Sequence, residues 1–123
     1  MVIAFTDNQA MTAIHGTASV IYTDPVPLNG MDRATAVFDI HYLWKSLGAS
    51  VSIAYAAEYS NDGTNWLAIS SLADSRTAAD LSAKTDISVY GAFIRLKFTL
   101  TVLGSPGDLA GAGFDLHVSF DKA

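Results

Sequence analysis

Alternation of apolar and polar residues dominates this chain and limits its fold more than any other feature. Side chains of a β-strand point to opposite faces in turn, so a period of two marks a strand with one buried face. In segment 114–120, Phe114, Leu116, Val118 and Phe120 share one face, and Asp115, His117 and Ser119 share the other. Segment 93–102 sets Ile94, Leu96, Phe98, Leu100 and Val102 against Arg95, Lys97, Thr99 and Thr101. Segment 34–44 sets Ala36, Phe38, Ile40, Tyr42 and Trp44 against Thr35, Val37, Asp39 and His41. Segment 51–59 places Val51, Ile53, Tyr55, Ala57 and Tyr59 on one face. Shorter strands are expected at 2–5, 11–14, 17–23 and 66–70, where β-branched and aromatic residues concentrate.

The breaks between these runs carry turn chemistry. Asp24 to Gly30 contains Pro25 and Pro27, which lack the N–H that a regular ladder needs. Asn61-Asp62-Gly63 supplies the positive φ of a tight turn. The glycine-rich run 104–113 reads as a flexible loop. Stretch 71–86 reads as a long loop crossing between sheets, with a short helix at 76–83 as the alternative. About eight strands at this spacing predict an all-β, two-sheet antiparallel sandwich of jelly-roll or Greek-key type. No linker divides the 123 residues, so one domain is expected over 1–123. The echo between Phe38-Asp-Ile-His41 and Phe114-Asp-Leu-His117 fits two similar strands.

Charge narrows the function. Only 15% of residues are charged, against about 25% in an average globular chain. Either neighbouring molecules cover part of the surface, or abundant Ala, Ser and Thr form it. The net charge is −5, and the seven Lys and Arg residues are scattered. A dedicated nucleic-acid surface or an anionic-membrane surface needs concentrated basic charge, so neither partner is expected. There is no cysteine, which excludes disulfides and Cys-type metal sites. No run approaches the roughly 20 apolar residues of a membrane span. The N-terminus lacks the basic and apolar regions of a signal peptide, so synthesis in the cytoplasm is expected.

Few constellations carry chemistry. Asp115, His117 and Ser119 lie at i, i+2 and i+4 of one strand, about 7 Å apart at each step. That is too far for a hydrolytic relay, and no Gly-x-Ser-x-Gly elbow exists, so no catalytic residues are assigned. Asp39, His41, Asp115 and His117 would converge on a divalent ion if the two Asp-x-His strands were neighbours. Outward polar residues are the plainer reading, and no metal or cofactor is assigned. Asn61-Asp62-Gly63 with Asp74, Asp80 or Asp86 offers oxygens for calcium, without an EF-hand pattern. His15 stands beside Gly16 with no evident partner. The aromatics with polar tips are Tyr42, Trp44, Tyr55, Tyr59, Trp66 and Tyr90. Of these, Trp44 at a strand end and Trp66 at a hairpin base are the candidate interface or ligand residues.

Glu58-Tyr-Ser-Asn-Asp-Gly-Thr-Asn-Trp66 is followed at a distance by Tyr90-Gly-Ala-Phe-Ile-Arg95-Leu-Lys97. This pairing resembles a hairpin of discoidin-like (F5/8 type C) sandwiches, in which a Tyr-Ser-x-Asp-Gly turn precedes a Trp and a later strand carries an aliphatic-Arg-aliphatic triplet. Similar strings occur in small β-sandwich proteins of phage virions. The resemblance spans roughly a third of the chain, from Glu58 to Lys97, and rests on Tyr59 to Trp66 and on Tyr90 to Lys97. It implies that Trp66 packs over the hairpin, that Ile94 and Leu96 are buried, and that Arg95 faces a carboxylate. Discoidin domains are usually longer, commonly disulfide-linked and exported, and this chain departs from all three. The expected function is therefore a non-enzymatic structural subunit of a phage-like particle: a capsid, decoration or tail-associated protein. It would self-associate or dock on other virion proteins through loops 24–32, 71–86 and 104–113, and would reside in the virion. The alternative is a carbohydrate-binding module with an aromatic loop-end site.

Overall fold

A computed structural model describes residues 2–123; the side chains of residues 2–4 and 7 lie outside the described set. The described residues form nine strands and no helix. They are β1 (Val2–Ile14), β2 (Ser19–Tyr22), β3 (Val26–Pro27), β4 (Arg33–Lys45), β5 (Ser50–Ser60), β6 (Leu67–Arg76), β7 (Leu81–Ser88), β8 (Phe93–Leu103) and β9 (Leu109–Asp121). One sheet runs β1-β9-β4-β7; the other runs β2-β8-β5-β6, with β3 also on β8. All pairings are antiparallel. This is the strand order of a jelly roll: each sheet takes strands from both halves of the chain, so two Greek keys interlock.

The core lies between the sheets and is built by the alternating faces. Ile94, Leu96, Phe98 and Leu100 of β8 are fully buried, as are Phe114, Leu116 and Val118 of β9. Phe38 packs edge-on against Tyr55 at 4.9 Å and Phe114 at 5.6 Å, joining the two sheets through aromatic contacts. The connections group at two ends. Segments 28–32, 60–66 and 89–92 are tied together by Leu28 N–H to Ala92 O, Val89 N–H to Asp32 O and Ala92 N–H to Ser60 O. At the other end, His15 N–H donates to Asp108 O and Ser46 N–H to Leu109 O.

Four expectations are corrected. The stretch 71–86 is neither a crossing loop nor a helix: β6 runs on to Arg76, a turn follows, and β7 occupies 81–88. Both are edge strands, and each has an irregular register. The bulge in β6 sets the inward residues Ile69 and Leu72 three apart, which hides the period of two.

The glycine-rich run is a loop only to Asp108; from Leu109 it is the first part of β9. Ala110, Gly111, Ala112 and Gly113 are all buried between β1 and β4.

Tyr42 and Trp44 do not continue the inward face of Ala36, Phe38 and Ile40. A register shift against β9 lies between Ile40 and Tyr42, and beyond it the phase reverses. Tyr42 and Trp44 therefore point outward, while Leu43 packs on the core. The strands expected at 2–5 and 11–14 are one strand, β1, with two irregularities between Ala4 and Gln9. Of the proline segment only Val26 and Pro27 pair, at the sheet edge where a missing N–H is tolerated.

Candidate functional site

The outer face of the β1-β9-β4 sheet gathers three of the four Asp-x-His residues. β4 and β9 are neighbours, and Asp39 stands directly opposite Asp115. Antiparallel pairing would send the two histidines to opposite ends of this pair, but the bulge after Ile40 lets His41 turn back. Its Nε2 lies 2.8 Å from Asp115 Oδ2, and its Nδ1 lies 3.8 Å from Asp39 Oδ2. The backbone N–H of Asn8, a residue of β1 with positive φ, donates to Asp115 Oδ1. That bond, then the His41 contact, holds the Asp115 carboxyl below its ordinary range despite partial burial. His117 stands opposite Val37 on the same face and stays outside the cluster. Among the described residues no hydrogen bond joins Asp115, His117 and Ser119, so these three form no relay.

Trp44 marks a second feature on the same sheet. It is 45% exposed and borders a shallow apolar depression with Thr12, Ala13, Ile14, Leu109 and Ala110. Its ring lies across Gly111, where an added Cβ would sit 2.3 Å from the indole Nε1. Tyr42 covers Gly113 in the same way. Leu47, on the adjoining turn, is fully exposed, and Leu103 and Ile14 are largely so.

Trp66 is differently placed. It is half-buried, and the Arg95 guanidinium lies 4.2 Å above its ring. Tyr22 lies 4.4 Å from the same guanidinium, and Arg95 Nε donates to Glu58 Oε1 at 2.9 Å. The resemblance anticipated an arginine facing a carboxylate here, and the structure supplies Glu58. One ring face of Trp66 is thus occupied by Arg95 and one ring face of Trp44 by the Gly111 backbone; Trp44 is the more exposed of the two.

The calcium candidates do not converge. Asp62 accepts from Ser60, Thr64 and Asn65 within its own turn; Asp80 pairs with Arg76 and Asp86 with Arg33. Sequence reasoning missed the apolar company of Trp44, because Ile14, Leu47 and Leu109 come from separate connections. The alternation Ala-Gly-Ala-Gly at 110–113 was the available signal that a strand lay there.

No family model matches the chain, and no curated protein matches it. Solved structures do. The PBSX exported protein XepA superposes with a TM-score of 0.68 at 14% identity, over 100% of this chain and 37% of that one. The VP2 subviral particle of infectious bursal disease virus gives a TM-score of 0.59 at 9% identity, over 99% of this chain and 32% of VP2. The carbohydrate-binding module TmCBM61, solved with β-1,4-galactotriose, gives only 0.49 at 15% identity, over 91% and 70%, which is too low to support an argument. The chain thus spans about a third of the length of XepA and of VP2. At these identities the likeness shows the fold alone: an all-β sandwich of the kind found in XepA and in the VP2 subviral particle. Among the described residues no helix is long and apolar enough to cross a membrane.

Proposed function

We propose that this chain is a structural subunit of a phage- or virus-type particle, a single sandwich domain over 1–123 that acts by assembly and not by catalysis. The observation that carries the reading is the loop end around Trp44. There Ile14, Trp44, Leu47, Leu103 and Leu109 are all at least 45% exposed. The adjoining segments 46–50 and 104–107 carry no charge. Apolar surface with little charge favours burial against another protein, with Trp as the anchor. The likeness to XepA and VP2 supports the reading through the fold they share. Of the three loops expected to reach neighbours, 104–113 is a loop only to Asp108, 24–32 holds β3 on the second sheet, and 71–86 is replaced by the β6–β7 edge.

Light scattering over a hundredfold dilution tests the proposal. An oligomer that persists in the native chain and dissociates in Leu47→Asp supports it. A 13.0 kDa monomer at every concentration, alone and with candidate virion proteins, overturns it.

The open face of Trp44 favours a second reading, a glycan platform. Tryptophan fluorescence that shifts on adding an oligosaccharide, and does not shift in Trp44→Phe, would support that reading. An unchanged signal across a broad panel would remove it.

A further inference from the structure

The cluster on the outer face of β4 and β9 has no role in the assembly reading. Asp39 and Asp115 are like charges at directly paired positions, an arrangement that is unfavourable in a sheet without compensation. Among the described residues neither carboxylate forms an ion pair with a Lys or Arg; the His41 ring contacts both, and His117 acts on Asp115 only at longer range. An imidazole between two carboxylates is a mixed nitrogen and oxygen donor set. One ligand atom from each of the three residues lies within 4.8 Å of the others. Bonds of about 2.1 Å in a tetrahedral shell place ligand atoms roughly 3.4 Å apart, so the widest separation has to close by no more than about 1.4 Å, within the reach of side-chain rotation.

The site also has a supporting bond. Asn8 N–H holds Asp115 Oδ1 and leaves Oδ2 turned to the cluster, as second-layer donors do around metal ligands. Side-chain exposures of 49%, 38% and 16% for Asp39, His41 and Asp115 leave an open path for an ion and for waters to complete its shell.

We propose that His41, Asp39 and Asp115 bind one divalent first-row transition ion of the Zn²⁺ class on the outer face of the β1-β9-β4 sheet. The imidazole selects such ions over Mg²⁺ and Ca²⁺, which prefer all-oxygen shells.

The test is calorimetric titration of the full chain with Zn²⁺, and with Mg²⁺ as a contrast. The expected result is one Zn²⁺ per chain, at least tenfold weaker binding in His41→Gln and in Asp39→Asn, and unchanged binding in His15→Gln. Mg²⁺ should give no saturable heat. His41 is exposed, so His41→Gln should fold, and circular dichroism verifies this even where Asp115→Asn is unstable. Full affinity retained in His41→Gln, or no saturable Zn²⁺ binding by the native chain, overturns the proposal.

Discussion

The Trp44 indole occupies the space that a side chain at position 111 would need. Trp44 on β4 and Gly111 on β9 are register partners, and a Cβ at 111 would come within 2.3 to 2.6 Å of three indole atoms. Gly111 is required here by close approach. Gly111→Ala should cost about 1–3 kcal/mol, the usual range for forcing a group into filled space. Trp44→Ala should remove most of that cost, so the double variant should be more stable than the sum of the single effects allows. Urea unfolding of the four proteins measures the coupling. Additive effects would show that the ring moves aside freely.

Arg95 ties three strands of the second sheet to the loop before β6: from β8 it stacks between Tyr22 of β2 and Trp66 and bonds Glu58 of β5. Arg95→Lys keeps the charge but loses the planar fork and the stacking surface. A loss of roughly 1–2 kcal/mol is expected, with a red shift of Trp66 emission as water reaches the ring. Chemical denaturation with fluorescence detection reads both. Unchanged stability and emission would mean that the stack contributes nothing.

Tyr55 predicts alkaline behaviour. Burial, with a smaller effect of Asp74, pushes its phenol from 10.0 up to about 12. The unfolded chain then loses this proton first, so the stability tied to the neutral phenol is complete below pH 10 and is lost as pH rises to 12. Tyr55→Phe keeps the ring against Phe38 and removes this ionisation. Its melting temperature should fall less than the native protein's between pH 10 and 12. Parallel curves would refute this.

Asp62 predicts acid behaviour at the hairpin. Its carboxylate accepts from the N–H groups of Asn65 and Thr64, the Asn65 amide and the Ser60 hydroxyl, which together hold it well below the usual 3.8. Stability from this turn is present above that value and is lost as pH falls beneath it. Asp62→Ala should lower the melting temperature at pH 7, with the deficit shrinking toward pH 2. A deficit that is constant with pH would show that the ionised form is not what holds the turn.

Trp44 itself shows where reading the residues ends. As a strand-end aromatic it was legible as a candidate, but its orientation was not. Strict alternation places it inward with Phe38 and Ile40, and one irregularity after Ile40 turns it outward. Trp66 was equally visible, yet only the sheet brings Arg95 from β8 over its ring. Asp39, His41 and Asp115 were nameable from the repeated Asp-x-His, but their meeting depends on β4 and β9 being neighbours and on a bulge that no residue type announces.

What the amino-acid order determined by itself was local. The inward faces of β8 and β9, the turn at Asn61-Asp62-Gly63 and the all-β class follow from side-chain alternation and backbone preference within a few residues. Tertiary structure alone decided the strand order, the edge strands β6 and β7, the burial of Ala110 to Gly113, and the company of Trp44 and His41. The physical reason is that each depends on contacts between residues far apart in the chain. An edge strand needs only part of an apolar face, and a glycine-rich strand is filled from its neighbour's side chains. Their own residues therefore carry only part of the pattern that identifies them.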